Sequence, residues 1–108
     1  DLFDCIAPTR MGRHGTLYTS DGRLNIRNAQ FTGDFNPIEN DCSCFTCVHH
    51  SRSYLSHLFR ADEMTAATLA SIHNIHFILR LVEKMRESII NGSFTSLKQE
   101  FCARYYKQ

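Results

Sequence analysis

Cys42-Ser43-Cys44-Phe45-Thr46-Cys47 crowds three thiols into six residues, and the rest of the chain is best understood outward from it. A loop this tight can turn three sulfurs towards one point. Zinc(II) takes four donors at tetrahedral corners, and thiolate with imidazole suits it well. His49, His50, His73 and His76 are available for the fourth corner. His49 and His50 follow Cys47 so closely that ring closure would be strained. His73 stands after a further 25 residues, on a segment of helical periodicity that forms a rigid platform able to fold back over the loop. His76 lies one turn beyond it and remains a rival on spacing alone. With four protein ligands no corner is left for water or substrate, so the expected role is structural. Three thiolates around one zinc(II) leave a net charge near −1, which calls for a nearby cation or backbone donors.

The composition agrees with a folded chain carrying such a site. The 108 residues are 43% hydrophobic and 21% charged, enough for one domain of modest core. No apolar run approaches the ~20 residues of a membrane helix. A formal net charge of +1 excludes a whole-chain electrostatic footprint for nucleic acid, so any RNA contact must be local. Five cysteines, an odd number with three nearly adjacent, argue against a secreted disulfide framework and for metal in a reducing compartment.

On either side of the cysteines the character differs. Residues 8–41 are punctuated by Pro8, Gly12, Gly15, Gly22, Gly33 and Pro37. Thr16-Leu17-Tyr18-Thr19 and Leu24-Asn25-Ile26 alternate as short strands around an Asp21-Gly22 turn. A third strand is expected near Ala29 to Phe31. Ser51 caps a helix through Tyr54, Leu55, Leu58 and Phe59. A longer helix should start after the acidic pair Asp62-Glu63. It carries Leu69, Ile72, Ile75, Leu79, Val82, Met85 and Ile89 at helical steps and ends at Asn91-Gly92. A final helix is expected from about Phe94 to Tyr106.

The chain opens at Asp1 and enters Leu2-Phe3-Asp4-Cys5-Ile6-Ala7 at once, a run with apolar groups on both faces. Such a run reads as a strand covered on both sides. Its partners are not evident downstream, and the expectation is a piece of a larger protein. Asp4 is the one carboxylate in this run. A buried carboxylate costs several kcal/mol unless paired, so it is either a structural partner to a neighbour or a chemical group. Arg10 and Arg13 follow in what reads as a glycine-containing loop. Their guanidinium groups suit phosphate, although solvated surface arginines look the same in sequence.

Phe3-Asp4-Cys5 leading to Pro8-Thr9-Arg10, then Gly15-Thr16, Leu24-Asn25-Ile26-Arg27-Asn28-Ala29, the Cys-x-Cys-x2-Cys-x25-His element, Ser51-Arg52-x-Tyr54, His73-Asn74 and Phe101-x-Ala103-Arg104-Tyr105 together resemble bacterial-type tRNA-guanine transglycosylase. The resemblance covers nearly the whole chain. It implies an α/β fold: the C-terminal fragment of a (β/α)8 TIM barrel, with its last strand and last helix and an inserted zinc-binding subdomain containing a small antiparallel sheet and helices. Residues 1–7 would be the last strand, 8–62 the insertion with a tRNA-contacting loop, and 63–108 the long barrel helix and C-terminal helix. It selects His73 over His76 as the ligand completing Cys42, Cys44 and Cys47 around one structural zinc(II).

The implied activity is exchange of guanine at the wobble position of GUN-anticodon tRNAs for a 7-deazaguanine, preQ1, in queuosine biosynthesis. Asp4 falls on the family nucleophile, which forms a covalent bond to ribose, and Arg10 and Arg13 on positions that hold the anticodon loop. Tyr54 and His57 match an aromatic dimer contact; position 50, often Trp in bacterial relatives, holds His50. The implied whole is a cytoplasmic homodimer without membrane association, and the 108 residues alone are expected to be inactive. Two other readings are a stand-alone zinc module for RNA or protein binding and a non-catalytic subunit of the same family. The strand starting at residue 2 speaks against the first, and the retained Asp4 against the second.

Overall fold

The computed structural model describes residues 6–106. Its elements run α1 (Ala7–Arg13), β1 (Thr16–Thr19), β2 (Gly22–Asn25), a 3-10 turn (Ala29–Phe31), α2 (Phe45–His49), α3 (Arg52–Arg60), α4 (Met64–Asn91) and α5 (Phe94–Tyr105). The architecture is largely helical, built around one antiparallel hairpin and the long α4.

The hairpin pairs Thr16 with Asn25, Leu17 with Leu24, Tyr18 with Arg23 and Thr19 with Gly22. Ser20 and Asp21 form the turn, and Gly22 takes φ 118°, a conformation open to glycine but not to β-formers. The Thr19 hydroxyl donates to Gly22 O at 2.6 Å and accepts from Asp21 N at 3.2 Å, closing the turn from inside. Leu17 and Ile26 point inward, are fully buried, and cluster with the buried Phe31, Ile38, Leu55, Phe59, Ala66, Leu69 and Ala70. This cluster joins the hairpin, α3 and the first half of α4, and it includes the sulfurs of Cys44 and Cys47.

Three sequence expectations change. First, Ala7 to Arg13 is helix, not strand end and loop. Pro8 sits in its first turn, where the fixed φ favours helix and the missing N–H costs nothing, and Arg10 N donates to Ile6 O at 3.0 Å. A last strand reaching residue 7 is therefore overturned at Ala7; its remainder up to Cys5, Asp4 included, lies outside the described residues. Second, Ala29–Phe31 is a 3-10 turn rather than a third strand. The Asn25 side chain takes Arg27 N at 3.0 Å, and Asn28 O accepts from Phe31 N, which bends the chain away from the sheet.

α4 starts after the acidic pair Asp62-Glu63 as expected, with Glu63 as its N-cap, and Asp62 also closes α3. It has φ 55°, and Glu63 N reaches back to Leu58 O at 3.0 Å in a Schellman-type closure. Third, the apolar stripe of α4 is fully covered only near its start. Leu69 is buried, whereas Ile72 is 36% and Leu79 54% exposed. At ~1.5 Å per residue the 28-residue helix runs ~42 Å, and the hairpin and α2 reach only its first half. The other expected boundaries hold: the Ser51 hydroxyl accepts from Tyr54 N at 3.1 Å, and Gly92 caps α4 with φ 77°.

Arg52 closes the loop between the 3-10 turn and α2. Its guanidinium donates to Pro37 O at 3.1 Å, Ile38 O at 2.8 Å and Asp34 Oδ2 at 3.2 Å, and lies over the Phe31 ring. The Asp34 carboxyl is held below its usual range chiefly by the Asn36 backbone N–H, then by the Asn36 side chain and Arg52.

Candidate metal centre

Cys44 precedes α2 in extended conformation and caps it, its Sγ accepting from Cys47 N at 3.3 Å. This cap turns the Cys44 and Cys47 sulfurs to one side of a single helical turn. Between them, the Thr46 hydroxyl donates to Leu69 O at 2.7 Å and docks α2 on α4 one turn before His73. His73 is fully buried (0% exposed). Its Nε2 donates to Tyr18 O at 2.7 Å, which leaves Nδ1 as the lone-pair donor facing the cysteines.

The sulfurs of Cys42, Cys44 and Cys47 lie 3.7, 3.6 and 3.3 Å from His73 Nδ1. All four donor atoms fall within 4.8 Å of one another. A tetrahedral zinc with Zn–S near 2.3 Å and Zn–N near 2.0–2.1 Å requires a sulfur-to-nitrogen edge of about 3.6 Å. The residues present therefore fit zinc(II) in both donor chemistry and spacing. Cys42, Cys44, Cys47 and His73 are the metal-holding group, and four protein donors make it structural. Backbone N–H groups meet the excess negative charge: Cys47 N on Cys44, and the Glu39 backbone on Cys47.

Proton affinities within the quartet follow from the same contacts. The hydrogen bond from Cys47, opposed by burial and aided by His73, pulls the Cys44 thiol down to about 3. Cys47 is pushed well up, first by sharing that bond and then by burial. For His73 burial acts downward, but the bonds to Cys42, Cys44 and Tyr18 O win and raise it to about 10. Without metal these contacts favour a Cys44 thiolate beside a protonated His73 and a Cys47 thiol, and zinc must displace their protons.

The other expected site residues are placed as follows. His76 is half-buried in the cleft between α4 and α5, with Arg80 and Lys84, and takes no part in the quartet. Arg10 and Arg13 are exposed, three residues apart on α1, hence on adjoining parts of one face. Tyr54 and His57 are exposed and share a face of α3. Tyr54 stacks on His50 with ring centres 4.9 Å apart, and Phe45 packs on His49 at 4.5 Å, so an aromatic surface flanks the metal loop. The residues missed by sequence reasoning are Thr46, Arg52 and the Tyr18 carbonyl. The two side chains act through backbone partners distant in sequence, and a carbonyl carries no residue signal.

The family model described as queuine tRNA-ribosyltransferase matches residues 1–107. Proteins named queuine tRNA-ribosyltransferase from Caldanaerobacter subterraneus subsp. tengcongensis, Helicobacter pylori and Helicobacter acinonychis are 47%, 48% and 50% identical to this chain. These alignments cover 98%, 100% and 97% of the chain but only 28%, 29% and 28% of the relatives. The chain thus spans less than a third of the length of the curated relatives it matches. With the metal-holding quartet in place and the match running through its length, the chain belongs to the queuine tRNA-ribosyltransferase family.

Proposed function

We propose that this chain is the zinc-bearing C-terminal part of a cytoplasmic tRNA-guanine transglycosylase that exchanges wobble guanine in GUN-anticodon tRNAs for preQ1. The observation that carries the reading is a cysteine–histidine quartet with zinc edge lengths inside a chain that matches the family over residues 1–107. The chain before α1 would be the last strand of a (β/α)8 barrel, residues 8–62 the insertion, and α4 the barrel helix that lends His73. Exposed apolar positions on α4 (Ile72, Ile75 and Leu79) suit a helix that packs on further structure along its second half. Among the described residues no helix is long and apolar enough to cross a membrane. Closely set thiols used as ligands suit a reducing compartment.

In this reading Asp4 is the nucleophile. Its carboxylate attacks ribose C1′ of the target nucleotide, the C1′–N9 bond breaks, and guanine leaves with the electron pair. Guanine takes up a proton from an acid outside these 108 residues. The 7-deazaguanine then attacks C1′ through its N9, its own N9 proton passes to a base outside these 108 residues, and the C1′–O bond breaks to release the Asp4 carboxylate. Arg10 and Arg13 hold backbone phosphates of the anticodon loop with paired donors. Bound zinc supplies no step; it fixes the fold of the insertion. Tyr54 and His57, in the aromatic surface beside the metal loop, contribute the homodimer contact.

Asp4→Asn in the full-length protein tests the assignment. Trapping of a covalent tRNA complex should vanish and exchange should fall by at least about a thousandfold. A complex that still forms would place the nucleophile elsewhere.

A further inference from the structure

Asn74 follows the ligand His73 on α4 and is fully buried, yet it is not one of the quartet. Both of its N–H groups and its oxygen are bonded to backbone. Oδ1 accepts from Tyr18 N at 3.1 Å, and Nδ2 donates to Thr16 O at 2.9 Å and to Pro8 O at 3.1 Å. No other side chain of this length offers one acceptor and two donors in a plane. His73 takes the remaining backbone group of Tyr18, its carbonyl, at 2.7 Å. Two adjacent α4 side chains therefore satisfy the free edge of β1, and one of them continues to α1.

At α1 a second anchor supports the first. Gly12 lies so close to α4 that an added Cβ would stand 3.0 Å from Ser71 N and Oγ and 3.2 Å from Ala70 C. Pro8 and Gly12 are one turn apart, so α1 is pinned along its length: Pro8 O by Asn74 and the Gly12 backbone by Ser71. Its packing is chiefly with α4. Arg10 and Arg13 project from this helix into solvent, so their aim is set by how α1 is seated.

We infer that Asn74 is a positioning residue for RNA binding: it locks α1 to the metal lobe and thereby fixes the direction in which Arg10 and Arg13 present their guanidinium groups to the anticodon-loop phosphates. This rests on the transglycosylase reading for the identity of the RNA. The physical route is continuous. His73 orders Tyr18, Tyr18 and Thr16 order the Asn74 amide, and the amide orders the first turn of α1. A loose α1 would leave both arginines charged and present but unaimed, and the ordering cost would then be borne at binding.

Two variants of the full-length protein test this. Asn74→Asp keeps the acceptor for Tyr18 N but removes both donors to Thr16 O and Pro8 O. Gly12→Ala lifts α1 from Ser71 without touching Asn74 or the ligands. The probe is an anticodon stem-loop RNA with a GUN anticodon, titrated by fluorescence anisotropy without turnover. Both variants should weaken Kd about tenfold and raise KM for tRNA alike, with kcat within about threefold and zinc content unchanged. In an Arg10→Ala, Arg13→Ala background Asn74→Asp should cause no further loss, because its effect passes through those side chains.

Unchanged Kd in the folded variants overturns the inference. So does a further loss in the arginine-free background, or a fall in zinc content and kcat with KM preserved. If Asn74→Asp does not fold, Gly12→Ala carries the same comparison. Absence of base exchange by the wild-type protein would count against the transglycosylase reading, whereas the RNA titration still decides the role of Asn74.

Discussion

His73 shows how much of the metal centre depends on one ring. Its Nε2 proton is committed to Tyr18 O at 2.7 Å, so the tautomer that presents Nδ1 to the sulfurs is set by a strand, not by the metal loop. In the metal-free quartet His73 is raised to about 10 and Cys47 is pushed up, while Cys44 is pulled down to about 3. At pH 7 zinc binding must therefore release protons, those on His73 Nδ1 and Cys47 Sγ among them. The sign follows directly: protons compete with the metal, so apparent zinc affinity should rise with pH, with the share due to His73 ending near 10 and the share due to Cys47 continuing beyond it. Calorimetric titration in buffers of different ionisation enthalpy measures the release. Zinc uptake without proton release would contradict the assigned protonation states. The cysteine ligands were legible because their spacing is local, and the resemblance separated His73 from His76. The Tyr18 carbonyl and the Asn74 amide were not legible, since their roles arise only when β1 lies against α4.

Among the elements, sequence reading succeeded where the signal is confined to neighbours. The Thr16 strand, the Ser51 cap and the Gly92 stop all appear as expected. It failed where a distant partner decides. Gly12 looked like a loop residue, but it permits a helix to lie flush against Ser71. Ala29–Phe31 had no strand left to pair with once the Asn25 side chain turned the chain. Asp62 stands just before α4 as expected, and it also occupies the left-handed closure of α3 at φ 55°. A side chain there carries a steric cost that glycine lacks, so Asp62→Gly should stabilise the fold by about 0.5–1 kcal/mol. Chemical denaturation reads this as a higher midpoint at constant slope. A lower midpoint would mean that the Asp62 carboxylate contributes more to the start of α4 than the strain removes.

Over the whole molecule, the metal quartet sits where the hairpin, α2 and α4 meet. Cys44 and Cys47 belong to the same buried cluster as Leu17, Ile26, Ile38, Leu55 and Phe59. The cluster is larger than the strand pattern alone promised, because Arg52 draws the loop carrying Ile38 onto it through the Pro37 and Ile38 carbonyls. It still contains a single two-stranded sheet, which is marginal by itself. The second half of α4 makes little use of this core. Zinc is accordingly assigned the task of holding residues 16–59 as one unit against the start of α4. Amide hydrogen exchange with and without a zinc chelator tests this most directly. Chelation should strip protection from Leu17, Tyr18, Cys47 and Leu55 together; unchanged protection at these amides would contradict a structural zinc.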